Sequence, residues 1–215
     1  MRSGEGSGAP SSAAAAFENA VAAFRSGLDH VADDVTIEDV PPPKRLAPHA
    51  SAIVATAHRD GDEVATGRLV LLFDPDGNDS WCGMFRLVAY VQADIEPEVA
   101  ADPLLGEVGW TWFTEALDTY TPGYAAESGT VTRVITEGFG AKEEDLPLTG
   151  FELRASWSPE GADLAELDLG GHVLAWYACL RMAAGLEPPG THAIHGASGE
   201  SRPLDPARQR GQRHR

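Results

Sequence analysis

From Ser51 to Glu96 the chain alternates apolar and polar residues with a period of two, interrupted only by two short clusters that contain Asp-Gly. The segments are SAIVATAH (51–58), EVATGRLVLLF (63–73) and MFRLVAYVQADIE (84–96), and each reads as a strand with one apolar side. Asp60-Gly61 is a hairpin signal, and DPDGNDS (74–80) predicts a second reversal. Strands joined by so few residues must run antiparallel, because a parallel crossover needs a dozen residues or more. This stretch commits the chain to a meander, and the remaining elements have to cover it.

The flanks supply the cover. Residues 12–26 place Ala13, Ala16, Phe17, Ala20, Val21 and Phe24 at helical spacing, with Ser11 or Ser12 as N-cap and Gly27 as stop. DDVTIEDV (33–40) predicts a short strand ended by three prolines. A helix follows over 106–121, then strands at 130–137 and 151–157 and a last helix within 163–185. The expected fold is α+β, with one principal, mainly antiparallel sheet and helices packed on one face, in the order α-β-β-β-β-α-β-β-α. A single domain is expected over 11–186. Residues 1–10 and the Pro/Gly-rich, basic segment 187–215 read as disordered tails.

The formal charge of −17 is unevenly spread. Residues 11–200 hold 31 acids against ten bases, whereas Arg202, Arg208, Arg210, Arg213 and Arg215 give the end of the chain an opposite sign. A body so acidic repels phosphate backbones and anionic membranes, so direct nucleic-acid binding by it is not expected. No apolar run approaches the length of a bilayer span, and no secretory leader is evident. Two cysteines, Cys82 and Cys179, are too few for a disulfide framework, and a reduced, cytoplasmic protein is the plain expectation.

Trp110 and Trp112 raise the question of an aromatic platform. On a helical wheel they share one arc with Val108, Phe113, Ala116, Leu117 and Tyr120, opposite Thr111, Thr114, Glu115 and Asp118. A helix lying on the core accounts for them without a ligand.

Strand alternation isolates a more informative set. Leu69, Leu71 and Phe73 with Phe85, Leu87, Ala89 and Val91, and Phe151, Leu153, Ala155 and Trp157, should face the helices. The opposite side then carries Arg68, Val70 and Leu72, Arg86, Val88 and Tyr90, and Arg154; Arg133 lies on a strand whose side is open. A face mixing Arg, Tyr and aliphatic residues has the composition of an interaction surface. Arg68, Arg86, Tyr90, Arg133 and Arg154 are therefore the candidate binding residues, with a protein partner or a second copy of the chain as the occupant. The plainer reading is a solvated sheet with cross-strand ion pairs.

Asp94 and Glu96 form the alternative acidic cluster, able with the arginines to serve an anionic substrate. Glu96-Pro97 and Asp102-Pro103 also read as acidic N-caps followed by proline, which requires no catalysis. HAIH (192–195) has ligand spacing but lacks a third partner, so no metal site is assigned. No nucleophile elbow, phosphate loop or dinucleotide fingerprint occurs, and no cofactor is expected.

The segments RLAPHASAI (45–53), ATGRLVLLFDPDG (65–77), DIEPEVAADPLLGEVGWTWFTEAL (94–117), SGTVTRV (128–134) and ELRASWSP (152–159) together resemble an actinobacterial family of uncharacterised proteins labelled domain of unknown function 3000. The likeness runs from about residue 15 to 190 and implies no activity, cofactor or site residue. The element order alone is similar to the secretion-chaperone-like fold, whose members dimerise and bind protein segments. Three functions follow as expectations: foremost a non-enzymatic, adaptor- or chaperone-like protein-binding module; next a hydrolase or transferase acting on an anionic small molecule; last a nucleic-acid role through residues 202–215.

Overall fold

The computed structural model describes residues 12–142 and 148–190. The expectations for residues 1–10, for the basic segment 202–215 and for HAIH lie outside the described residues. Residues 187–190, expected to open the tail, are held against the domain: Tyr120 Oη donates to the Pro189 carbonyl at 2.7 Å, and Arg181 Nε to that of Glu187 at 2.5 Å.

The elements follow the expected order. Helix α1 (Ser12–Ser26) is followed by β1 (Val35–Val40), β2 (His49–Arg59), β3 (Asp62–Asn78) and β4 (Gly83–Asp94). A short α2 (Pro97–Ala101), α3 (Leu105–Tyr120), β5 (Tyr124–Thr136), β6 (Leu148–Pro159) and α4 (Leu169–Ala183) complete the domain. One sheet contains all six strands in the order β1-β2-β3-β4-β6-β5, every neighbour antiparallel.

The turns follow from residue chemistry. Asp60 and Gly61 both have positive φ, 54° and 93°, as a two-residue loop matching the strand twist requires. At the other end β3 runs further than the sequence suggests. Its ladder with β4 lapses after Phe73, where Pro75 has no N–H to offer, and resumes at Asn78↔Gly83. The reversal is a single helical turn, Asp79–Trp81, closed by Cys82 at φ 57°. Strand β5 begins six residues before its β-branched run, because Tyr124 and Ala125 also pair with β6 across an irregularity at Ala126 and Glu127.

The alternation assigns the sheet faces correctly. Leu69, Leu71, Leu87, Val91, Leu153 and Trp157 are buried beneath the helices in one continuous core. Helix α4 is apolar on all sides because it packs against both α1 and α3 as well as the sheet. Two glycines set how closely the layers approach. A Cβ at Gly67 would stand 2.9 Å from the Trp176 ring, and one at Gly109 would stand 2.4 Å from that of Phe151. Ring against bare backbone is how the bulky side chains of α4 and β6 fit.

The tryptophan expectation is met in the same way. Trp110 and Trp112 are half-buried and pack on the core; their rings lie 5.1 Å from that of Phe113 and 5.9 Å from that of Phe151, respectively. Val108, placed on the same arc, is 40% exposed, which narrows the apolar stripe of α3.

Two buried polar centres tie the layers. In one, the Arg181 guanidinium spans both carboxylate oxygens of Asp34 and donates to the Tyr177 hydroxyl, which accepts also from the Ala32 amide. In the other, Trp157 Nε1 donates to Nδ1 of the fully buried His172 at 3.0 Å. Burial drives the His172 pKa down to about 4, with the charge of Asp168 and the Leu167 backbone opposing it. The imidazole is neutral at pH 7, as an acceptor of the indole N–H has to be.

Candidate functional site

Among the described residues, no helix covers the other side of the sheet, and it is shielded only at one end. There the β1–β2 connection folds back, and Val40, Ala47 and Ala50, with Trp81 and Val88, enclose a small second cluster of Ala52, Val70 and Leu72. Val70 and Leu72, expected on the open face, are therefore buried. The exposed part is centred on one row of paired residues running across all six strands: Glu38, Val54, Arg68, Tyr90, Arg154 and Thr130.

Adjacent strands are about 4.8 Å apart, so the two arginines flank Tyr90 with their backbones roughly 10 Å from each other. Arg154 lies over the Tyr90 ring at 5.3 Å and pairs with Glu152 at 3.0 Å. Tyr90 Oη donates to Gln92 at 2.9 Å, and Arg68 Nη2 donates to the Pro41 carbonyl at 2.8 Å. Burial, then Glu152, raises the Tyr90 pKa above its ordinary value, so the phenol stays a neutral donor at pH 7. Between these groups is a shallow depression of about 250 Å³ lined by Arg68, Val70, Val88, Ala89, Tyr90 and Arg154. A charge-bearing, partly apolar hollow of this kind can seat a side chain or short segment of another polypeptide.

Two candidate residues are placed elsewhere. Arg86 is on this side of the sheet, but it is 8% exposed and engaged at both terminal nitrogens. Nη1 reaches the Ala126 carbonyl at 2.8 Å and the Ser158 hydroxyl at 3.3 Å; Nη2 reaches Ser156 at 2.7 Å and Ser128 at 3.4 Å. Burial lowers its pKa, with Cys82 and Glu127 acting against the shift, yet it remains a cation. The alternation rule put Arg86 on the right side; it could not reveal that three serines and a carbonyl at positive φ would converge on it. Arg133 is on the opposite side, the one that bears the helices, because odd-numbered residues of β5 point there. Val131 meets α3 at Gly109, and Arg133 Nη1 donates to the Asp102 carbonyl at 2.8 Å.

The acidic cluster does not meet the arginines. Asp94 ends β4, four residues or about 13 Å along the strand from Tyr90, and no ion pair joins Asp94 or Glu96 to an arginine among the described residues. Glu96 occupies the cap position of α2 with Pro97 in the first turn, although its side chain makes no capping bond. Asp102 accepts from the Leu104 amide at 2.8 Å as the chain enters α3. Among the described residues, no group of three His, Cys, Asp or Glu is placed to hold a metal ion, and no helix is long and apolar enough to cross a membrane.

No curated protein and no solved structure matches the chain. One family does: the model described as "Protein of unknown function (DUF3000)" matches residues 13–192, nearly all of the folded domain, and the chain belongs to that family.

Proposed function

We propose that the chain is a non-enzymatic, cytoplasmic protein-binding module, adaptor- or chaperone-like, whose simplest partner is a second copy of itself. The observation that carries this reading is the row Arg68–Tyr90–Arg154 on the side of the sheet without helices, with an apolar floor of Val70 and Val88 beneath it. Aromatic and guanidinium groups over an aliphatic floor are enriched where proteins meet. The two unpaired cysteines, one of them exposed, suit a reducing compartment.

The binding residues reduce to Arg68, Tyr90 and Arg154, since Arg86 is buried and Arg133 lies on the helix-bearing side. The hydrolase or transferase reading draws no support from the separation of Asp94 and Glu96 from the arginines.

The test is sedimentation over a concentration series from about 1 to 100 μM, with affinity capture from the native cell, for the parent chain and the Tyr90→Ala/Arg154→Glu double variant. Association that weakens at least tenfold in the variant, with its melting temperature unchanged, is the expected result. A monomer that captures nothing, or capture unaffected by the double variant, overturns the proposal.

A further inference from the structure

At the opposite side of the sheet, under the start of α1, lies a cavity of about 500 Å³. Three segments enclose it: the first turns of α1 at Ala16, the end of the β3–β4 hairpin, and the loop of residues 160–167 that leads from β6 to α4. The volume is within the range that binds small molecules, roughly 300–1,000 Å³. It is distinct from the face proposed above, because Phe73 and Phe85 point to the helix-bearing side.

The wall chemistry is polarised. Phe73 and Phe85 stack with ring centroids 4.7 Å apart, and Phe17 continues the stack at 6.0 Å from Phe73. Leu164 and Leu167 extend this apolar lining. Among the described residues, the charged groups that line the cavity are Glu160 and Asp163, while His49 packs on the Phe17 and Phe73 rings at 5.3 and 5.8 Å. Asp163 spends one oxygen on the amides of Ala165 and Glu166, whereas Glu160 has no ion-pair partner among the described residues. The surrounding body adds a strongly negative field. Apolar groups on one side with carboxylates on the other attract a cation that carries its own apolar groups: the acids favour positive charge, and the lining removes hydrocarbon from water.

We infer that this cavity is a binding site for a small organic cation, an ammonium bearing aryl or alkyl substituents. Anions of the same shape are disfavoured, since Glu160 and Asp163 repel them.

Cys82 lies at the mouth and provides the readout. It is exposed, while Cys179 is 1% exposed, so a neutral alkylating agent such as iodoacetamide marks Cys82 alone in the folded protein. Benzyltrimethylammonium, phenylacetate and benzyl alcohol serve as cationic, anionic and neutral probes, with dissociation constants from ligand-observed NMR and Cys82 alkylation followed by mass spectrometry. Benzyltrimethylammonium should bind saturably and slow alkylation, with benzyl alcohol weaker and phenylacetate not binding. Glu160→Gln should weaken the cation about fivefold, the worth of one charged contact of roughly 1 kcal/mol. Leu164→Trp, or Ala16→Trp at an exposed position of α1 that lines the cavity, should fill the space and abolish binding. Equal affinity for phenylacetate, absence of saturable binding by the cation, or undiminished binding by a folded filling variant would each overturn the inference.

Discussion

The buried imidazole of His172 makes a quantitative statement about acid stability. Its pKa is about 4 in the folded protein against 6.5 for the free group, so the unfolded chain binds the proton first. Stability is then fully present above about pH 6.5 and declines as the pH falls toward 4, below which both states are protonated. With those two values the linkage relation gives a loss of about 2 kcal/mol between pH 7.5 and pH 5.0. The structural reason is direct: a protonated Nδ1 becomes a donor facing the Trp157 N–H, from which it accepts when neutral. Urea unfolding at the two pH values, followed by tryptophan fluorescence, measures the decline. Other groups contribute to it, so the same measurement on His172→Gln isolates this one; the amide oxygen can still accept from the indole and does not titrate. The parent should lose about 2 kcal/mol more than the variant over this interval. Equal losses, within about 0.5 kcal/mol, would refute the assignment of His172 as a neutral acceptor.

Three further outcomes follow from the geometry. Arg86→Leu should cost about 2–4 kcal/mol by chemical denaturation, because it strands the Ala126 carbonyl and deprives three serine hydroxyls of their donor, whereas Arg154→Glu on the exposed row should stay within about 0.5 kcal/mol. Gly109→Ala should lower stability by about 1–3 kcal/mol, since its methyl would overlap the fully buried Phe151 ring, and a melting curve that matches the parent would contradict that contact. A thiol titration with Ellman's reagent should find one reactive group in the folded protein and two in denaturant; burial pushes the Cys179 pKa up to about 12, leaving almost no thiolate to react.

The sheet was legible because its signal is local. Alternation from Ser51 to Glu96, together with Asp60-Gly61, determines three strands, their antiparallel sense and which side of each is apolar. The ladder order is less accessible: β6 inserts between β4 and β5 because its Phe151, Leu153 and Trp157 need cover from both α3 and α4, a demand visible only in three dimensions. The β5 start at Tyr124 was hidden for a similar reason, since Ala125 pairs through the backbone and offers no β-branched side chain. The candidate site was half legible. Parity in the sequence places Arg68, Tyr90 and Arg154 together, but it cannot weigh how many partners each guanidinium finds. Arg86 and Arg133 were grouped with them on residue type, but Arg86 is buried against the Ala126 carbonyl and Arg133 reaches the Asp102 carbonyl on the helix-bearing side, neighbours distant in sequence. His172 and Arg181 carried no sequence signal at all, being polar residues inside an apolar helix whose partners come from β6 and from the connection before β1.

The irregularity in β5 also limits how the sheet can grow. As the outermost strand, it presents every second amide and carbonyl to solvent, which invites addition of a foreign strand. Ala126 at φ 52°, clamped by Arg86, bends the rim so that only Ser128 to Thr136 remains straight enough to accept one, and Arg133 puts a charge in the middle of that stretch. Loosening the clamp would lengthen the adhesive rim, so loss of the Arg86 guanidinium should favour fibrous or amorphous association even at temperatures where the domain stays folded.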